Sequence, residues 1–173
     1  PSIIYNNIVG FDRKHIEKLE IDIKFLDYKK ILSDRDRAIK SQILRNPQKV
    51  KAVVKYKDKT YNAKVRLKGD LSDHWTAIHR MSLRINLKGK NTIHGLNEFN
   101  IQKPRTRVYP YDAVFQDTLR ATDNLAAEHN YVRVIVNGSD WGVMDLESHV
   151  GKEFLERNNK KESIVVRFSN EDG

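Results

Sequence analysis

Two runs of alternating apolar and polar residues, Lys49 to Tyr56 and Thr60 to Lys68, are joined by only Lys57-Asp58-Lys59. A period of two sends successive side chains to opposite faces of a strand, and so short a connection forces the two runs antiparallel. The second run enters VRLKGDLSDHW (65–75), where Arg66 and Lys68 stand two apart and so share a face. Gly69 permits a sharp turn with close backbone approach, and Asp70, Ser72, Asp73 and His74 follow it. Cations beside a glycine turn suit an anion, above all a phosphate. The plainer reading is a surface hairpin with solvated charges.

The flanking segments extend a sheet. LEIDIKF (19–25) alternates as a half-buried strand, and Ser33 with Asp36 predicts the start of a helix whose stripe is Ala38, Ile39, Ile43 and Leu44. In RMSLRINL (80–87), Met81, Leu83, Ile85 and Leu87 share one face, opposite Arg80, Ser82, Arg84 and Asn86. Short strands are expected at 98–102, 131–136 and 141–146, the last two as a hairpin across Asn137-Gly138-Ser139-Asp140. Pro110 can open a helix through Thr122, Glu147 to Arg157 reads as a second short helix begun by Glu147, and Ser163 to Phe168 as a further strand. The expected fold is α+β: a twisted, largely antiparallel sheet with two or three helices.

Charge narrows the partners. Lys and Arg number 32 against 23 Asp and Glu, a formal net charge of +9, which suits acidic partners. Nucleic acid is the weaker candidate, because Lys103, Arg105, Arg107, Tyr109 and Tyr111 give only a small basic-aromatic cluster beside a helix start. With no cysteine in the chain, disulfides, thiolate zinc sites and a cysteine nucleophile are excluded. No apolar run is long enough to span a bilayer. Both ends read as cut, which suggests a piece of a longer protein. No HExxH, nucleophile elbow, Walker loop or dinucleotide fingerprint is present. No metal ligands and no catalytic residue are assigned.

Taken together, VRLKGDLSDHW, RMSLRINLKGK (80–90), LNEFNIQKPRTR (96–107), PYDAVFQDTLR (110–120) and YVRVIVNGSDWGVMDLESH (131–149) resemble the CotH family, the spore-coat protein H kinases of bacteria and their secreted relatives. The resemblance implies a protein kinase that binds ATP and Mg2+ and transfers the γ-phosphoryl group to Ser or Thr of an acidic or hydroxyl-bearing protein outside the cytoplasm. It places an N-terminal strand and helix extension at 1–48. Residues 49–173 become a region like the small lobe of an atypical kinase, ending before the large lobe that holds the metal-binding carboxylates.

On that reading Arg66 and Lys68 contact phosphate oxygens, with Arg84 and Lys103 next. Gly69, Asp70 and Ser72 form the covering turn, and Glu147 orients a cation or accepts from a nucleotide hydroxyl. The alternative is a non-catalytic envelope or coat module docking acidic protein or polysaccharide through its basic face.

Overall fold

A computed structural model describes residues 16–161. The strand expected at 163–168 lies outside them. Within them, β1 (Lys18–Ile23), β2 (Val50–Tyr56), β3 (Lys59–Leu67), β4 (Leu83–Leu87), β5 (Glu98–Gln102), β6 (His129–Val136) and β7 (Ser139–Ser148) close into a barrel in the order β1-β2-β3-β4-β5-β7-β6. Three helices accompany them: α1 (Phe25–Ser41), α2 (Tyr111–Ala121) and α3 (Lys152–Arg157).

The closure corrects the expected open sheet and its likeness to a kinase small lobe. β1 pairs antiparallel with β2 and, on its other edge, parallel with β6, Leu19 opposite Val134. The sheet is therefore mixed and has no free edge. Alternation tells which side chains face the core, but is silent on whether the first strand meets the last, so the closing contact has no local signature. Residues 18–23, placed by the sequence in an N-terminal extension, form the strand that completes the ring.

Inside the ring, one parity of every strand is apolar. Leu19, Ile21, Val54, Val65, Leu67, Leu83, Ile85, Phe99, Ile101, Val132, Val134 and Leu146 join one core with less than a few per cent of their surface exposed. Trp141, on β7, belongs to the same core. Each large aliphatic buried in this way contributes about 1.5–3 kcal/mol relative to exposure.

Two local expectations shift. α1 starts at Phe25, so Ser33 lies inside it; Tyr28, Ile31, Leu32 and Ala38 keep helical spacing against the barrel, and that stripe outweighs the cap signal. Buried Asp34 ties α1 to the following link by accepting from the Gln48 backbone N–H at 2.6 Å and its side-chain amide at 2.9 Å. Glu147 lies in β7 and does not begin a helix; α3 starts at Lys152. The β6–β7 ladder runs on past Leu146, pairing Glu147 with His129.

Candidate functional site

The outward parity of the strands should be solvated in a small barrel. On β5 and β7 it is buried: Asn100, Gln102, Asp145 and Glu147 are each less than 5% exposed, between apolar neighbours that face the core. Strand registry lines up the polar side. Arg66 sits opposite Arg84, Arg84 opposite Asn100, Asn100 opposite Glu147, and Glu147 opposite His129, a row crossing five strands. One step along, Gln102 is opposite Asp145, and Asp145 opposite Tyr131.

Lys68 reaches this row from the end of β3. Its ammonium donates to Gln102 Oε1 at 2.9 Å and to Glu147 Oε2 at 3.2 Å, with only 11% of its side chain exposed. Asn100 Nδ2 donates to the same Glu147 oxygen at 3.1 Å, while its own Oδ1 accepts from Arg84 Nε at 3.0 Å. Arg107 bonds the other oxygen, Glu147 Oε1. Gln102 Nε2 donates to Asp145 Oδ2 at 3.3 Å, and His129 Nδ1 lies 3.0 Å from that oxygen. Glu147 is thus the hub of a buried network, not a helix cap.

The network floors a cleft of about 250 Å3 lined by Lys68, Gly69, Asp70, His74, Arg84, Asn100, Arg107, Glu147, Ser148, His149 and Val150. Of the residues singled out in the sequence, Lys68, Gly69, Asp70, Arg84 and Glu147 come together here. Arg66, Ser72 and Lys103 lie outside the lining. Arg66 is half-buried and donates to the Leu67 carbonyl at 3.3 Å. Ser72 is exposed, in the 3₁₀ turn Ser72–His74, and Lys103 pairs with Asp73 at 2.9 Å.

Electrostatics mark the cleft as positive. Burial pushes Lys68 down from its usual range, Arg107 and Arg84 push it further, and Glu147 opposes them without prevailing. Burial alone would raise Glu147, but Lys68 and Arg107 outweigh it and hold the carboxyl below its ordinary value. His74 is pushed down to about 4, first by burial and then by the Lys68 and Arg107 charges. The imidazole stays neutral there, with Nδ1 3.0 Å from Ser82 Oγ.

Sequence reasoning missed Asn100, Gln102, Arg107 and Asp145 as members of the site. A signal existed: in NIQ (100–102) and DLE (145–147) polar residues flank one apolar residue at strand spacing. Nothing in the local pattern says that this outward face is covered.

The lining fits phosphate oxygens, since guanidinium and ammonium groups converge on it. It does not fit Mg2+, which prefers a nearly octahedral shell of oxygens. Among the described residues the group able to hold a metal is Asp112, His129 and Glu147, which includes a nitrogen donor. No protein-family model matches the chain, and no curated protein does either.

Proposed function

We propose that the chain is the phosphate-binding part of a CotH-like protein kinase, which transfers the ATP γ-phosphoryl group to Ser or Thr of a protein outside the cytoplasm. The observation behind this reading is the convergence of Lys68, Arg84 and Arg107 on one cleft beside the Gly69 turn. Phosphoryl transfer asks the protein mainly for positioning and charge neutralisation, and such a cleft supplies both for an anionic tail. Lys68 is held at the floor of this cleft by Gln102 at 2.9 Å and Glu147 at 3.2 Å, which fixes its ammonium beside the place an anion would take. The resemblance of VRLKGD and NGSDWGVMDLE to the CotH motifs names the nucleotide. The carboxylates for metal and for the accepting hydroxyl are assigned to no residue of this chain.

Thermal-shift titration tests the reading. ATP and tripolyphosphate should both raise Tm while adenosine does not, since a ligand at a hundredfold its Kd adds about 2.7 kcal/mol to the native state. Arg84→Met should remove most of the rise. No shift at millimolar ATP and tripolyphosphate would overturn it.

A second reading, a non-catalytic module for acidic partners, has its own observation. A groove of about 640 Å3 is lined by Lys51, Lys64 and Lys88 with no carboxylate among its lining residues. Lys51 and Lys64 lie directly opposite each other on β2 and β3, a like-charge pairing that an anionic chain would relieve. Polyanion binding lost in Lys51→Glu/Lys64→Glu and kept in Arg84→Met would favour this module.

A further inference from the structure

We infer that Asp112, His129 and Glu147 form a binding site for a zinc-type divalent cation, beside the Arg107 guanidinium. One ligand atom from each residue lies within 4.8 Å of the other two. The second observation is His129 itself. Its side chain is only 3% exposed, and its Nε2 has no hydrogen-bond partner while facing Asp112 Oδ2 at 3.7 Å.

The other ring nitrogen explains the orientation. His129 Nδ1 is 3.1 Å and 3.0 Å from the two oxygens of Asp145, a carboxylate that is itself 1% exposed. A carboxylate accepting from Nδ1–H fixes the tautomer that leaves the Nε2 lone pair outward, and raises its basicity toward a metal. Gln102 Nε2 in turn holds Asp145 at 3.3 Å. A ligand set of one imidazole and two carboxylates suits Zn2+ or a similar transition ion better than Mg2+.

Arg107 occupies the competing position. Its Nη2 donates to Glu147 Oε1, its buried Nε has no hydrogen-bond partner, and that Nε lies 3.9 Å from Asp112 Oδ2. The guanidinium therefore neutralises the same two carboxylates that a cation would take. Metal entry displaces Arg107 from Glu147. Because Arg107 also lines the anion cleft, the displaced guanidinium becomes available to a phosphate there, and metal and anion should each favour the other's binding. The metal site does not rest on the kinase reading, because its probe is the ion alone.

The experiment is titration of the chain with Co2+ and Zn2+, followed by cobalt d–d absorption and calorimetry, with Mg2+ as control. One equivalent should bind saturably and Mg2+ should not displace it. Arg107→Met should tighten binding by removing the competitor, a change that mere structural damage would not produce. Asp145→Asn should weaken it roughly 10–100-fold. Asp112→Asn, at a partly exposed position on α2, should abolish it while the far-ultraviolet dichroism stays intact. The inference is overturned if Co2+ and Zn2+ fail to bind at millimolar concentration. It is equally overturned if Arg107→Met and Asp112→Asn, both folded, leave the affinity unchanged.

Discussion

The imidazole of His74 fills the space that a side chain on residue 69 would need: a Cβ built at Gly69 meets the His74 ring at well under contact distance. The turn and the ring are packed as one unit at the mouth of the cleft. Trp75 Nε1 reinforces it by donating to the Gly69 carbonyl at 3.2 Å. Gly69 also has φ +95°, where L side chains are strained.

Gly69→Ala should therefore destabilise on two counts, backbone strain of about 1–3 kcal/mol and displacement of the ring. A urea melt should show a lower midpoint with an unchanged slope. Phosphate-dependent stabilisation should fall with it, because the ring cannot move without disturbing the cleft lining.

Lys68→Met leaves Glu147 buried with one cation fewer. Removing one partner of a buried pair usually costs about 3–5 kcal/mol, and the lower end is expected because Arg107 and Asn100 still bond the carboxylate. Equilibrium unfolding measures this directly. A cost near zero would mean that Lys68 contributes nothing to holding Glu147.

Two histidines give opposite pH dependence. His74 titrates at about 4 in the fold against an ordinary value near 6.5, so the unfolded chain takes up a proton that the fold refuses. Its contribution is present above 6.5 and is lost as pH falls toward 4. His129 is raised: burial works against its charge, but the hydrogen bond to Asp145 and the charges of Asp145, Glu147 and Asp112 prevail. Its contribution is complete below 6.5 and is lost as pH rises through the raised value. Melts across this window should show His74→Gln flattening the acid limb and His129→Gln the neutral-to-alkaline one.

Closure of the barrel makes a prediction about β1. An open sheet would leave one edge of this strand bonded to water, whereas here both edges are paired, with β2 and with β6. Native-state hydrogen exchange should protect the amides of Leu19 to Ile23 on both edges to a degree comparable with β3. Ile21→Ala, at a fully buried position, should cost about 2–5 kcal/mol.

Much of the local structure was readable from period alone. The β2–β3 hairpin, the 83–87 part of the alternation expected over 80–87, and the β6–β7 hairpin, whose turn is Asn137-Gly138 and not the expected four residues, follow from residues that touch their neighbours in sequence. α1 was misplaced at its start because the capping pattern at Ser33 is local while the stripe from Tyr28 is defined by the barrel it packs on. For the site, Lys68, Gly69 and Arg84 could be picked out as cations and a turn. Arg107, Asn100, Gln102 and Asp145 could not, since each looks like an ordinary surface polar residue until the face above it is covered.

Composition and alternation by themselves determined a basic, cysteine-free, strand-rich domain with a cationic glycine turn, because those properties belong to single residues and to nearest neighbours along the chain. The tertiary structure alone decided that β1 meets β6 and that Lys68 meets Glu147, 79 positions later. The same is true of the opposition of Asp112 and His129. Such contacts arise from chain closure and burial, which join residues distant in sequence and leave no periodic trace in it.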